Sequence, residues 1–346
     1  MYGREELEAT LARITRGDFD IAGQVHLDQM LSGFNLNYMI DQSLFIADRV
    51  LVQVPVNKKT NGYVVWNQPD LMRRYDTKRA ELTQANKVAV RVGSATYQCV
   101  GYGLKDGVSV EEEVNMDDVF TSANGEQGRV QRITNFLLID KEVRVASLLT
   151  QTGNVGSSAA VASAWSDAVS GHSDPVSDIN TALDNIRYSC GYRPNGMVIG
   201  GGPWRALRRH QDIIGKALNP NYIGFGNYPM AADVAKLFEL DELLIGDSQL
   251  HTGAPIPASG TSLSLARPWG NNCLLYFKPP GAPSLEQPNP FVSFNWSDPR
   301  LGAWNVVRHP FDSKIKGQEL EIDYWSDERV IAKPLTFLLT GCSSKA

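Results

Sequence analysis

Gly200-Gly201-Gly202-Pro203 follows a short apolar run and opens a helical pattern, the setting in which free backbone amides can hold a phosphate group. Neither G-x-G-x-x-G nor G-x-x-x-x-G-K-[ST] is present, and Pro203 removes one amide, so a turn entering a helix is the simpler reading. Gly246-Asp247-Ser248 stands after a second apolar run as a partial echo of the G-x-S-x-G nucleophile elbow, without the closing glycine. His26, His172, His210, His251 and His309 are too far apart to pair on a metal, and His210 reads as a surface or packing residue rather than a general base. Cys99, Cys190, Cys273 and Cys342 also lack paired spacing, which suits buried or idle thiols in a reducing compartment. Arg205, Arg208 and Arg209 form a basic cluster whose simplest reading is a solvated helix face, with a subunit contact or DNA as alternatives. These residues assign no catalytic, cofactor-binding or metal site.

The elements that would have to position such residues are clearer. Asp174-Pro175 is a strong helix start, because the aspartate can cap free amides and proline at the first position gives up only an amide that had no partner. Val176, Ile179, Leu183 and Ile186 supply an inward face, and Gly191 stops the helix. Pro194-Asn195-Gly196 turns into a buried strand, Met197 to Ile199; a helix from Pro203 then carries Trp204, Leu207, Ile213 and Ile214 inward. Ala231 to Leu240 as helix and Leu243 to Ile245 as strand repeat the theme. The result is a small sheet flanked by helices.

Upstream, Leu7, Leu11 and Ile14 place an amphipathic helix over 4–14, either a free arm or a helix folded onto its own core. Val50, Val52, Val54 and Val56 alternate as a strand, and Tyr63 to Trp66 make another. A charged excursion from Asn67 to Lys87 separates these from a third alternation at Val88, Val90 and Val92; a connection of that length is functional or disordered. Gly125 to Thr150 reads as one long helix, with Val130, Ile133, Phe136, Leu137, Ile139, Val143 and Ala146 at helical steps over ~35 Å. Thr152 to Ser173, rich in Gly, Ser and Ala, reads as a surface loop. Pro279 to Pro299 holds six of the eighteen prolines around a strand carrying Val292, Phe294 and Trp296. Leu320, Ile322 and Tyr324 alternate, and a turn at Ser326-Asp327-Glu328 leads into Val330 to Leu339 as a terminal hairpin.

With 346 residues and 42% hydrophobic content, the chain can bury one large or two modest cores. Its 33 basic and 38 acidic side chains give a formal charge of −5, which excludes a global positive field for gripping nucleic acid. The N-terminus has neither the basic start nor the apolar core of a signal peptide, and no apolar run reaches the ~18 residues of a membrane helix. A soluble, non-exported protein is expected.

The order Trp165-Ser166-Asp167, Asp174-Pro175-Val176-Ser177-Asp178-Ile179, Cys190-Gly191-Tyr192-Arg193-Pro194-Asn195-Gly196-Met197-Val198-Ile199-Gly200 and Trp204, Leu207 and His210, closed by Glu319 to Thr340, resembles the major capsid proteins of tailed bacteriophages, the Hong Kong ninety-seven type coat fold. The resemblance implies an α+β fold with an N-terminal arm over 1–50, an extended β-hairpin loop over 51–110 and a peripheral domain with a spine helix over 111–173. An axial domain over 174–310 and return strands of the peripheral domain over 311–346 complete it.

The same resemblance implies a non-enzymatic shell subunit that forms hexamers and pentamers of an icosahedral head around double-stranded DNA, with no cofactor. Implied partners are other copies of the chain, a portal protein, a separate scaffolding protein, a decoration protein, and packaged DNA through weak non-specific contact; no membrane is involved. The place is the virion head, assembled in the bacterial host cytoplasm. Cross-linking, found in part of that family, would need a lysine of the extended loop, with Lys58, Lys59 and Lys78 placed there. The alternatives are an encapsulin-like compartment shell, which shares the fold; an α/β enzyme using the Gly200 turn or the Asp247-Ser248 pair; and a component that only trims a shell.

Overall fold

The architecture is that of a computed structural model, which describes residues 26–27, 45–66, 73–79, 81–88, 92–111, 126–166, 173–217, 228–253, 264–279, 289–297, 304–314 and 316–344. The amphipathic helix expected over 4–14 lies outside these residues, as does most of the arm expected over 1–50. In chain order the first elements are β1 (His26–Leu27), α1 (Ala47–Val50), β2 (Val52–Val56), β3 (Thr60–Trp66), β4 (Val92–Gln98), β5 (Val100–Ser109), the long helix α2 (Glu126–Leu149) and β6 (Ser157–Ala160). Then come α3 (Pro175–Cys190), β7 (Gly196–Gly200), α4 (Gly201–Leu207), α5 (Gln211–Ala217), α6 (Ala231–Leu237), β8 (Glu242–Gly246), β9 (Leu250–His251) and β10 (Leu265–Ala266). The chain closes with β11 (Cys273–Tyr276), β12 (Phe291–Trp296), β13 (Trp304–Arg308), β14 (Gly317–Val330) and β15 (Thr336–Thr340).

Two mixed sheets organise the molecule. One runs β6-β15-β11-β7-β8 and the other β1-β13-β14-β12-β2, with β5 also pairing β14. The five-stranded sheet is covered on both faces. Met197, Ile199, Cys273, Leu275, Phe337 and Leu339 pack against α3 to α6, while Val198, Leu244, Leu274, Tyr276 and Leu338 pack against α1, the last turns of α2 and Phe291. Double burial explains why its strands read as continuous apolar runs rather than alternations. In the six-stranded sheet one face meets the first half of α2, where Val130, Ile133 and Leu137 lie on Val306, Leu320, Ile322 and Tyr324. Helix α2, about 36 Å long, therefore lies on both sheets and ties them together. Phe136, at a helical step that suggested burial, faces outward.

Helix α3 is capped as its sequence indicates: Ser177 N–H donates to the Asp174 carboxylate at 2.9 Å, Pro175 occupies the first turn, and Gly191 closes it in the left-handed region. The Trp165 indole N–H donates to Asp178 at 2.9 Å and pins the incoming chain to that helix.

Several expectations are corrected. The terminal hairpin does not form: β14 passes straight through Ser326-Asp327-Glu328, and β15 leaves for the five-stranded sheet between β11 and β6. Pairing with β5 at one end of β14 and β12 at the other holds that stretch extended. The ranges 174–310 and 311–346 therefore each contribute strands to both sheets, because β12 and β13 pair with β14 while β15 pairs with β11. The Gly/Ser/Ala stretch after α2 contains strand β6, whose poor intrinsic propensity is overridden by parallel pairing with β15. Val50 ends helix α1 rather than starting a strand. Val88 is exposed in the connection before β4, because pairing of β3 with β4 ends at Trp66 opposite Val92. The expected single helix after Gly200 is two, α4 and α5, the second starting where His210 Nδ1 accepts the Asp212 amide at 3.4 Å.

Candidate assembly surfaces

The β3–β4 hairpin pairs only with itself among the described strands, as does the much shorter β9–β10 pair, and its seven-residue strands set it apart. Its root is anchored on the six-stranded sheet. Tyr97 stacks on Phe294 with ring centroids 4.4 Å apart, Tyr63 packs on the same ring at 5.2 Å, and Cys99 closes the cluster. Burial pushes the Cys99 thiol up to about 11, which leaves it protonated and unreactive at neutral pH. The described part of the connection between the two strands, residues 73–79 and 81–88, carries Arg73, Arg74, Lys78, Arg79 and Lys87, all exposed. Leu82 is fully exposed there, with φ of 61°. A bulky residue in the left-handed region is an outlier, and an exposed leucine in it gains nothing inside its own subunit.

Beneath the hairpin root, α2 is bolted to its surroundings by charge. Arg144 donates to Asp140 at 2.9 Å, Glu328 at 2.7 Å and the Tyr324 hydroxyl at 2.6 Å, and its guanidinium lies 3.6 Å from the Tyr102 ring centroid. Lys141 donates to Asp48 at 2.5 Å. Next to it Glu142, 0% exposed, accepts the Ala47 amide at 2.8 Å, the Ile46 amide at 3.1 Å and the Trp269 indole N–H at 2.5 Å. Burial raises the pKa of Glu142, and those three donors offset part of the rise. One carboxylate thus joins α2, the start of α1 and the turn before β11.

The glycine turn after β7 is filled from two sides. A Cβ on Gly200 would sit 2.2 Å from the Gly270 carbonyl oxygen, and one on Gly201 would sit 2.1 Å from an Asp247 carboxylate oxygen. The glycines make room for these acceptors, which fill the space beside the turn that an anion would need. Asp247 faces Arg267 at 3.2 Å and Arg205 at 3.7 Å. Ser248 is buried and its Oγ has no hydrogen-bond partner among the described residues, so no base there stands ready to activate it. Ser173, His210 and Asp212 do come together, with Ser173 Oγ 3.1 Å from His210 Nε2. His210 Nδ1 accepts the Asp212 amide at 3.4 Å and lies 3.5 Å from the Asp212 carboxylate. His309 is paired with Glu321 at 2.7 Å, and His251 lies beside the Ser264 carbonyl at 3.1 Å. The four cysteines are buried and free.

No protein-family model matches the chain. It is 25% identical to the major capsid protein of Burkholderia phage BcepMu over 225 residues, which are 64% of this chain and 69% of that protein. Among solved structures, a phage-related protein from Bordetella bronchiseptica RB50 superposes with a TM-score of 0.68 at 18% identity, over 93% of this chain and 100% of the other. The capsid of cyanophage P-SCSP1u superposes with a TM-score of 0.56 at 12% identity, over 85% of this chain and 87% of that one. The chain has the tailed-phage major capsid fold.

Within this capsid fold, the residues that sequence reasoning missed are Glu142, Arg144 and Trp325, each of which ties one element to another far away in the chain. A glutamate and an arginine within a strongly charged helix give no signal of burial on their own. The apolar neighbours Val145, Ala146 and Leu149 mark which side of α2 is inside, but Glu142 lies there only because the amides of Ile46 and Ala47 arrive from 96 and 95 residues away.

Proposed function

We infer that this chain is the major capsid subunit of a tailed phage, a structural protein that assembles with copies of itself into the shell of the virion head. The observation that carries this reading is the combination of a doubly covered sheet, a spanning helix and a hairpin that pairs with no other described strand of its own subunit, in a fold superposing on a phage capsid over most of both chains. A hairpin whose connection, in its described part, exposes a left-handed leucine and five basic side chains has its natural contact in a neighbouring subunit. In this reading the extended loop expected over 51–110 projects as β3, β4 and the connection between them, α2 is the spine helix, the five-stranded sheet with α3 to α6 the axial domain, and the six-stranded sheet, which takes β2 and β5 from the two ends of that range, the peripheral domain.

The finer assembly follows from the same reading. Copies form hexamers and pentamers of an icosahedral head around double-stranded DNA, assembled in the host cytoplasm with a portal protein and a separate scaffolding protein, and a decoration protein docks on the outside. The formal charge of −5 suits a container that holds DNA without gripping it. Shell contacts of this kind bury on the order of 2,000 Å² or more per interface.

The test is expression alone and with a scaffolding protein from the same genome, followed by light scattering and negative-stain microscopy. Large closed particles that package DNA with a portal and terminase support the reading. Particles that fill with a cargo enzyme instead identify an encapsulin-like compartment, and persistent monomers under every condition reject a shell.

A further inference from the structure

We propose that an aromatic cage around Lys59 fixes the angle at which the hairpin leaves the subunit, which makes Lys59, Trp296 and Trp325 positioning residues for assembly. The proposal rests on the shell reading for its consequence but on the subunit alone for its geometry. Lys59 is the last residue before β3. Its Nζ lies 3.5 Å from the ring centroid of Trp325 and 4.5 Å from that of Trp296. The two indoles stand edge to face, 5.5 Å apart at 86°, so the ammonium sits in the corner between them. An ammonium placed over an indole face is held by the ring quadrupole, most strongly of the three aromatic types.

The two rings are themselves fixed. Trp296 ends β12, and its indole N–H donates to the Asn57 carbonyl at 3.3 Å, two residues before Lys59. Trp325 lies in the middle of β14 with its ring against β5, where a Cβ on Gly101 would come within 2.9 Å of it. Glycine at 101 therefore lets the strand that leaves the hairpin press on the same ring that holds the lysine entering it.

The return strand has a polar tie to match. Cys99 N–H donates to the Lys59 carbonyl at 2.8 Å, and Gln98 N–H donates to Asp327 at 2.8 Å. Asp327 in turn holds Arg329 at 2.9 Å. Entering and leaving strands are thus gripped by the same stretch of β14, one through the cage and the other through a carboxylate. Once the ammonium leaves the corner, the entering strand loses its hold on β14 and the hairpin pivots more freely. Among the described residues it is the Lys59 ammonium that occupies this corner, so its neighbour Lys58, exposed like Lys59, serves as the control. Of the lysines placed for cross-linking, Lys59 has its amine engaged by its own subunit.

The experiment compares Lys59→Met, Lys58→Met and Lys59→Arg in the full chain. Hydrogen exchange is followed in the unassembled subunit, and particle diameters are measured by electron microscopy after assembly. Lys59→Met keeps the stem and removes the charge; amides in 60–66 and 92–98 are expected to exchange about fivefold faster and particle diameters to broaden. Lys58→Met leaves both unchanged, and Lys59→Arg, whose guanidinium also stacks on indole, restores both. Exchange and diameters for Lys59→Met equal to those of the natural chain overturn the proposal, as does an equal effect from Lys58→Met. Trp296→Phe gives the test in a milder form should Lys59→Met not fold: faster exchange in the same strands upholds the cage, and unchanged exchange overturns it. If the natural chain never forms particles, the shell reading fails while the exchange comparison still decides the cage.

Discussion

The five-stranded sheet and the hairpin with its six-stranded support are built on opposite plans. The first is closed on both faces, and its central strands are apolar throughout because their positions do not meet water. The second buries one aromatic cluster at the hairpin root and then sends a long charged connection out from it. A closed plate gains its stability within one subunit. An open hairpin gains little beyond its root, and in the proposed shell it makes its further contacts on a neighbour. The difference separates what keeps the subunit folded from what joins it to others.

The comparison breaks first if the plate tolerates crowding. Gly200→Val would drive its Cβ into the backbone oxygen of Gly270, which cannot rotate away, and is expected to cost at least about 3 kcal/mol; chemical denaturation or loss of soluble protein reads this directly. At the hairpin root, Phe294→Ala removes the ring on which Tyr63 and Tyr97 pack and is expected to cost about 3–5 kcal/mol. Its distinctive sign is a loss of protection in 60–66 and 92–98 that exceeds any loss in β7 or β11, by hydrogen exchange.

Glu142 tests the joint between the two regions through pH. Its pKa is raised in the folded state above the ordinary 4.5 by burial. A carboxyl raised in this way adds stability that is fully present below the unfolded pKa and is lost as pH rises through the folded one. Glu142→Gln, which cannot titrate, is expected to flatten that part of the stability profile, and an unchanged slope in urea melts over that range would reject the assignment. The smallest expected effect on stability is also the sharpest contrast. Replacing 73–87 with a short Gly-Ser linker should leave the unfolding free energy of the subunit within about 0.5 kcal/mol, while assembly into particles is lost. A stability loss as large as that from Phe294→Ala would mean the connection packs on its own subunit, contrary to the open plan.

Much of the plate was legible residue by residue. Asp174, Pro175 and Gly191 bounded α3, and the runs at 197–199 and 243–245 fell in β7 and β8. The long helix was bounded to within one residue at each end. Strand β6 was not legible, since Ser157 to Ala160 carries no β signal until β15 arrives beside it. The path of β14 was equally hidden. Ser326-Asp327-Glu328 has the composition of a turn, but these residues pair with β12, where Asp327 also caps the Gln98 amide.

Local chemistry alone determined the caps of α3, the lengths of α2 and α3, the apolar strands β7 and β8 and the charged excursion, because each of these depends on neighbours within a few residues. Tertiary structure alone decided which sheet each C-terminal strand joins, that the glycine turn at 200 is filled by Gly270 and Asp247, that Glu142 is buried, and that Lys59 sits between two tryptophans. Those outcomes require groups tens to hundreds of residues apart to meet, and whether a polar group is an exposed charge or a buried staple depends on what meets it.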